Sequence, residues 1–258
     1  MTWYHESMYD TGQPAGSYWE DDAPPLNAGV DLDALHGEVT CDTAIIGGGY
    51  TGLSAALHLA RDHHIDAVVL EAGPLGWGAS GRNGGFCTLP PMSLDYDQLI
   101  KRYGLDEARR FIASQAEAVD LVADLARQES IDLHRQGGGT LHVAHAPRRF
   151  DELKDEGAFL TSTFGLPSTL LRREEVAEQH YDSAEQFGAL HNHTGFGLHP
   201  LRFARGLAAA AARAGARLHG RSKVLRWEKS GAEHRFITAT GSLRARRVII
   251  ATHGPTQT

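Results

Sequence analysis

Three glycines and one glutamate are the residues whose spacing points most directly to chemistry. Gly47, Gly49 and Gly52 satisfy the pattern G-x-G-x-x-G, and Glu71 follows further along the chain. Glycines at this spacing bring bare backbone N–H groups and the positive end of a helix against a pyrophosphate. An acid about 20 residues further on accepts hydrogen bonds from ribose hydroxyls and repels a 2′-phosphate. The four residues therefore predict a dinucleotide site that favours FAD or NAD over NADP.

The elements that must position these residues are visible in the local pattern. Residues 42–46 form a compact apolar run of the kind found in central parallel strands. Apolar residues from Leu53 to Ala60 recur at the spacing of one helix face, and residues 67–70 form a second buried-type strand that ends at Glu71. This order predicts a βαβ unit. The alternative is a glycine turn that only allows a helix to pack on a strand.

A glycine-rich stretch follows the second strand. Residues 73–85 (the glycine-rich loop) contain six glycines, and we expect no regular element there. A backbone with so few side chains can come close to a flat or charged group. Arg82 and Asn83 are the large polar residues of this loop. A plain NAD-dependent dehydrogenase would continue with another helix and strand at this point, and a mobile surface loop is the remaining alternative.

Composition limits the classes of protein to consider. The 258 residues are 41% hydrophobic and 22% charged, with a net charge of −7, which disfavours nucleic-acid and anionic-membrane partners. We find neither a signal peptide nor an apolar run of about 18 residues. Cys41 and Cys87 are too few for a disulfide framework, so we expect a reduced cytoplasmic setting. The fifteen histidines lack cysteines or carboxylates at ligand spacing, so we expect no metal site.

The later elements return to the pattern of the first ones. Residues 201–214 predict an alanine-rich helix, and residues 217–219 predict a strand. Residues 224–227, 236–239 and 243–247 are interpreted as an antiparallel meander, and residues 248–251 as a separate buried parallel strand.

The chain is expected to have an α/β fold in which the dinucleotide-binding domain is discontinuous. That domain would consist of residues 41–90 and 198–258, and residues 91–197 would form an inserted layer that covers the cofactor. Residues 1–40 are interpreted as an irregular arm, since prolines and glycines interrupt any helix there. Either the arm is free, or four aromatic residues dock it on the body, as we expect: Trp3, Tyr4, Tyr18 and Trp19.

Four segments together resemble a known family. They are residues 46–60 (IGGGYTGLSAALHLA), 78–85 (GASGRNGG), 138–144 (GGTLHVA) and 197–201 (GLHPL). Their order and spacing are similar to the D-amino-acid-oxidase-like family of FAD-dependent oxidoreductases, above all to its γ-glutamylputrescine oxidoreductase branch. The resemblance implies a Rossmann-like FAD-binding domain and an inserted, partial substrate domain of mixed sheet and helices.

The resemblance also implies which residues hold FAD. In the turn and at the ribose these are Gly47, Gly49, Tyr50, Thr51, Gly52 and Glu71. Near the phosphates and the isoalloxazine they are Ala79, Ser80, Arg82, Asn83, Gly84 and Gly85. Val224 would contact adenine through its backbone, and Ala251 and Thr252 would lie against the cofactor where the last strand returns. The resemblance provides no catalytic acid or base.

The activity implied is oxidation of a carbon–nitrogen bond in a small amine, with hydride transfer to the flavin. Family members continue well beyond residue 258, so we expect a fragment, a truncated gene, or a remainder supplied by another chain or a homo-oligomer. Two alternatives stay open. One is a remnant that binds FAD without catalysis, and the other is an NAD-dependent dehydrogenase, which the glycine turn and Glu71 alone would also permit.

Overall fold

The structure is a computed structural model that describes residues 10–14, 16–26, 33–89 and 94–253. Trp3 and Tyr4, which we expected to dock the arm, lie outside the described residues. The chain divides into two compact units. The first comprises Met1–Gly85, Ala126–His134 and His199–Thr258, and the second comprises Phe86–Leu125 and Arg135–Leu198. The three-part domain division made from the sequence stays a prediction.

Strands and helices are numbered in chain order. The strands are β1 (Gly37–Ile46), β2 (Ala67–Leu70), β3 (Phe86–Thr88), β4 (Thr140–Val143), β5 (Ser168–Leu171), β6 (Ala189–Asn192), β7 (Gly195–Gly197), β8 (Arg217–His219), β9 (Arg226–Ser230), β10 (Glu233–Ile237) and β11 (Gly241–Ile250). The helices are α1 (Tyr18–Asp22), α2 (Tyr50–His63), α3 (Tyr96–Tyr103), α4 (Leu105–Gln128), α5 (Pro147–Phe164), α6 (Arg173–Gln179) and α7 (Pro200–Arg213).

The first unit is built on a six-stranded sheet in the order β8-β2-β1-β11-β10-β9. The first four of these strands are parallel, and β10 and β9 continue the sheet in antiparallel fashion. The carboxyl ends of β2, β1 and β11 therefore meet at one edge of the sheet. In open parallel sheets this edge is where ligands bind. The predicted α/β fold and the βαβ unit are confirmed.

Helices α2 and α7 carry the apolar faces that their sequences predict. The buried residues of α2 recur at helical spacing, and they are Gly52, Leu53, Ala56, Leu57 and Ala60. In α7, Pro200 occupies the first turn and eight residues are buried, many of them alanine. Small side chains allow close approach between helices and strands, which is why the alanine-rich pattern produces a packed layer rather than an exposed helix.

The second unit contains two small antiparallel sheets, β3-β7 and β4-β6-β5. Its core is formed mainly by leucines, including Leu99, Leu153 and Leu160. Helix α5 begins at Pro147, and Gly165 ends it with a φ of +68°. A proline in the first turn and a left-handed glycine after the last turn are the usual boundaries of a helix, so the local sequence explains both ends of this one.

Three expectations about local structure are wrong. Residues 18–22 form the short helix α1 within a segment that we interpreted as irregular. Residues 243–247 and 248–251 do not form separate strands, because β11 is continuous and pairs with β10 on one side and β1 on the other. The end of β11 is also less buried than expected. Pairing with β10 stops at Ala245, and the side chain of Ile250 is 61% exposed.

Candidate cofactor site

Gly47 lies directly after β1, at the carboxyl edge of the parallel sheet. Its φ is +113°, a conformation that residues with a side chain rarely adopt. A Cβ atom at this position would lie 2.6 Å from the carbonyl oxygen of Ala251. The Ala251 N–H in turn donates to the Ile46 carbonyl at 2.8 Å. Glycine is therefore required where the chain leaves β1, and Ala251 lies directly against it; the predicted contact of Ala251 with the cofactor stays a prediction.

Gly49 and Gly52 lie where the chain packs closely. A Cβ on Gly49 would lie 2.8 Å from Ser80 Oγ, and a Cβ on Gly52 would lie 1.9 Å from the Gly47 carbonyl oxygen. The second contact is with backbone, which cannot rotate away, so α2 can begin this close to β1 only with glycine at position 52. A side chain at position 49 would displace the Ser80 hydroxyl, which accepts from the Tyr50 N–H.

The turn at residues 47–52 presents N–H groups to an anion. The first N–H groups of any helix lack intrahelical acceptors and carry the positive end of the helix dipole. Ser80 Oγ accepts from the Tyr50 N–H at 3.0 Å. The N–H of Gly49 donates to no acceptor in the part of the chain that the structure describes. This arrangement suits a pyrophosphate.

Glu71 lies at the end of β2 and binds the turn itself. Its Oε2 accepts from the Gly48 N–H at 2.6 Å, and its Oε1 accepts from the Gly73 N–H at 2.9 Å. A carboxylate has about four acceptor sites, so each oxygen can accept a further hydrogen bond from a ribose hydroxyl. The sequence predicted a ribose ligand at this position but gave no indication of the two backbone contacts.

The glycine-rich loop is more regular than we expected, because residues Ala79–Gly81 form a turn of 3-10 helix. The side chain of Asn83 holds this turn. Its Nδ2 donates to the carbonyls of Ala79 at 3.2 Å and Ser80 at 3.1 Å, and its Oδ1 accepts from the Gly85 N–H at 2.9 Å. Asn83 therefore shapes the loop, and its predicted contact with the cofactor stays a prediction.

Arg82 also binds within its own loop. Its Nε donates to the Trp77 carbonyl at 2.6 Å, and its guanidinium carbon lies 3.8 Å from the centre of the Trp77 ring. A cation–π contact of this kind stabilises the guanidinium in its position over the indole ring. The sequence did not single out Trp77, although an aromatic residue five positions before an arginine in a glycine-rich segment was a usable signal.

Val224 lies in the segment between β8 and β9. This segment passes beside Glu71, whose carbonyl accepts from the Ser222 N–H at 2.7 Å. The Val224 side chain packs on the core under the sheet, together with Phe236 and Leu243. The N–H and carbonyl of Val224 make no hydrogen bond to another described residue. Both groups are therefore available for the edge of an adenine ring.

The structure thus brings most of the predicted site residues together at one sheet edge. Gly47, Gly49, Gly52 and Glu71 form the turn, and Tyr50 and Ser80 join it to the glycine-rich loop. Five of the predicted residues are exposed to solvent: Thr51, Ala79, Asn83, Gly84 and Thr252. Gly85 is buried, with a φ of +75°.

His199 caps helix α7. Its Nδ1 accepts from the Arg202 N–H at 3.2 Å, and its side chain is buried. Burial, together with the nearby positive charge of Arg202, holds the pKa of His199 below the usual value for histidine. The imidazole is therefore neutral at neutral pH and serves as a structural cap. Burial likewise raises the pKa of the Cys87 thiol, which makes it a poor nucleophile.

No group of three metal-ligating side chains comes together among the residues that the structure describes. None of the helices in that part of the chain is both long enough and apolar enough to cross a bilayer.

Comparisons with known proteins agree with this geometry. The FAD dependent oxidoreductase (DAO) family model matches residues 42–256. γ-Glutamylputrescine oxidoreductase from Escherichia coli is 35% identical over 233 residues, which are 89% of this chain and 53% of that protein. The crystal structure of glycine oxidase from Geobacillus kaustophilus matches with a TM-score of 0.64 at 25% identity. The match covers 83% of this chain and 55% of the glycine oxidase chain.

A further solved structure supports the fold. L-Proline dehydrogenase from P. horikoshii has a TM-score of 0.61 at 20% identity and covers 85% of this chain. The chain spans about half the length of the curated relatives that it matches. The family match identifies FAD, rather than NAD, as the cofactor. The chain belongs to the DAO family of FAD-dependent oxidoreductases.

Proposed function

We propose that this chain holds FAD at the carboxyl edge of its parallel sheet and that the protein uses it to oxidise an amine or an amino acid. One observation carries the proposal. At Gly47 and Gly52 a side chain would collide with backbone, and at Gly49 it would displace the Ser80 hydroxyl, so the first and third positions of the turn require glycine. Such a turn beside a helix N-terminus, with Glu71 at the end of the next strand, fits a dinucleotide.

Each part of FAD would meet a different group of residues. The Gly49 N–H and the start of α2 would bind the pyrophosphate, with Ser80 at their side. Glu71 would accept from the adenosine ribose, and the free backbone groups of Val224 would face adenine. Ala251 and Thr252 would lie along the cofactor. The remaining loop residues, Ala79, Arg82, Asn83, Gly84 and Gly85, are proposed to approach the phosphates and the ring.

FAD supplies the redox chemistry when bound, because it can accept two electrons and a hydrogen from the bond that is oxidised. The chain supplies position and electrostatics. The relatives are named for γ-glutamylputrescine and glycine, which share a primary amine next to an oxidisable carbon. We propose a small substrate of this type. The amine must be neutral to lose its α-hydrogen as hydride, so turnover is expected to rise with pH across the amine's titration.

The first test is binding. The purified chain is freed of bound nucleotide and titrated with FAD, and flavin fluorescence reports the dissociation constant. A parallel titration with NADH tests the dehydrogenase alternative. We expect saturable FAD binding and much weaker NADH binding. Failure to bind FAD, or a preference for NADH, would overturn the assignment of the glycine turn.

The second test is chemistry. The FAD-loaded protein is mixed anaerobically with γ-glutamylputrescine, sarcosine or glycine, and loss of the flavin absorption band reports reduction. Reduction by an amine, at a rate that increases with pH, supports the proposed oxidation. A protein that binds FAD but is reduced by none of these amines at any pH would refute the proposed activity while leaving the binding site intact.

A further inference from the structure

The N-terminal segment 17–24 contacts the glycine-rich loop directly. The indole Nε1 of Trp19 donates to the Asn83 carbonyl at 3.0 Å. The Trp19 ring also packs edge-on against His199, with 4.8 Å between the ring centres. Its neighbour Tyr18 is 68% exposed. Trp19 therefore attaches the short helix α1 to the loop, while the preceding residue, Tyr18, faces solvent.

Two arginines of α7 hold the end of α1. Arg202 Nη2 donates to the Asp22 carbonyl at 2.9 Å, and Arg205 Nη1 donates to the carbonyls of Ala23 at 3.0 Å and Pro24 at 2.6 Å. The Asp22 carbonyl is one of those that a helix end leaves without an intrahelical donor, and the other two follow directly after the helix. Arg205 is partly buried, and this burial lowers the pKa of its guanidinium. Charge-assisted hydrogen bonds are strong in such surroundings.

The Asp22 carboxylate adds a second attachment. Its Oδ2 lies 3.3 Å from His134 Nδ1, 3.5 Å from His199 Nε2 and 3.5 Å from Arg202 Nη2. A helix of five residues is not stable in isolation, because forming its first turn costs more than it returns. The conformation of α1 therefore depends on the contacts of its end with α7 and with His199, the N-cap residue of α7.

The contacts of Trp19 continue into the proposed cofactor site. Asn83, whose carbonyl accepts from Trp19, uses its side chain to hold the Ser80 carbonyl at 3.1 Å. Ser80 Oγ then accepts from the Tyr50 N–H, at the start of α2. A continuous series of hydrogen bonds thus connects Trp19 with the N–H groups that would bind the pyrophosphate.

We propose that segment 17–24 is a positioning element for the glycine-rich loop, and that Trp19 is the residue through which it acts. The proposal rests on the proposed FAD site. The segment holds Asn83 in the position that orders residues 79–85 before FAD binds. An ordered loop does not have to be fixed at the moment of binding, and this preorganisation increases affinity. Trp19 touches no reacting atom, so it is a positioning residue.

Trp19→Phe tests the proposal because it removes the indole N–H and keeps an aromatic ring beside His199. Tyr18→Phe is the matched control, since it also removes one polar hydrogen from an aromatic residue of the same helix. We expect Trp19→Phe to weaken FAD binding by about tenfold, which corresponds to about 1.4 kcal/mol. Tyr18→Phe is expected to bind FAD as the unmodified chain does. The readout is the FAD concentration at half-saturation in a titration that excites the flavin, because this concentration does not depend on how strongly tryptophan quenches the bound flavin.

Hydrogen–deuterium exchange of the FAD-free chain gives a readout that does not depend on the cofactor. In Trp19→Phe we expect faster exchange in peptides covering residues 79–85, and unchanged exchange in peptides of α5 in the second unit. Unchanged loop exchange and unchanged FAD affinity would overturn the proposal. An equal increase in α5 would also overturn it, because that result means general destabilisation.

The two proposals can fail separately. If the unmodified chain does not bind FAD, the proposed function fails, and the exchange experiment still decides whether Trp19 orders the loop. If Trp19→Phe does not fold, Asp22→Asn replaces it, since this change weakens the contacts of α1 with His134 and Arg202 at nearly constant size. The same faster exchange at residues 79–85 is expected from Asp22→Asn, and its absence would overturn the proposal.

Discussion

Replacing Gly52 with alanine tests whether the close approach of α2 to β1 is the basis of the site. Gly52 lies in the first turn of α2, where its φ is an ordinary helical one. A Cβ at this position would lie 1.9 Å from the Gly47 carbonyl oxygen and 3.1 Å from the Gly47 carbonyl carbon. No rotamer can relieve this contact, because both partners are backbone. The start of the helix must therefore move away from the strand.

Two effects of opposite sign determine the size of the change. Alanine is favoured over glycine in a helix by about 0.8–1 kcal/mol. Forcing packed backbone apart costs about 1–3 kcal/mol. The difference between these terms is about 0–2 kcal/mol, and because the 1.9 Å contact is severe we expect Gly52→Ala to lower the free energy of unfolding by about 2 kcal/mol. The Gly47 carbonyl and the neighbouring N–H groups move together, so FAD affinity should fall by at least about tenfold, or about 1.4 kcal/mol.

Urea unfolding measures the first quantity, and a flavin fluorescence titration measures the second. Gly138→Ala is the control, since a Cβ there would meet nothing within 4 Å and its φ is not in the left-handed region. This control is expected to leave FAD binding unchanged and to raise stability by up to about 1 kcal/mol. A Gly52→Ala protein as stable as Gly138→Ala, with unchanged FAD affinity, would refute the reasoning.

Three further predictions follow from individual side chains. Glu71→Gln removes one of two carboxylate contacts with backbone N–H groups, so urea unfolding should show a loss of about 1–3 kcal/mol, and FAD titration should show weaker binding. Burial, and secondarily Asp66, raises the pKa of the Cys41 thiol to about 12, so mass spectrometry should show far slower iodoacetamide labelling in native than in unfolded protein. The lowered pKa of buried His199 means that the unfolded chain takes up its proton first. Its contribution to stability is therefore complete above about pH 6.5 and is lost as pH falls below that value. His199→Asn keeps an acceptor at the helix cap and should flatten this part of the melting temperature profile against pH.

The sequence predicted the elements whose causes are local. The glycine spacing predicted the turn at residues 47–52, and a short apolar run predicted β2 at Ala67–Leu70 with its observed bounds. Each of these patterns lies within a few residues of the structure that it specifies.

The errors arose where distant residues decide the structure. Helix α1 exists because Arg202 and Arg205, about 180 residues away, bind its end. The continuity of β11 depends on its two neighbouring strands, and no signal within residues 243–251 shows that one strand has two partners. Asn83 is a separate case: its side chain binds its own loop, which becomes visible only when the loop's conformation is known, and its predicted contact with the cofactor stays a prediction.

Glu71 shows why prediction from a motif can be sound and still incomplete. The acid was predicted from its spacing as a ligand for ribose hydroxyls, yet it also accepts hydrogen bonds from Gly48 and Gly73. One carboxylate thus fixes the turn after β1 and the start of the glycine-rich loop, and it keeps acceptor sites for the sugar. Since the same charge orders both backbone segments, the recognition of ribose and the order of the turn cannot be changed independently. Substitution of Glu71 is therefore expected to weaken FAD binding by more than the loss of its ribose contacts alone.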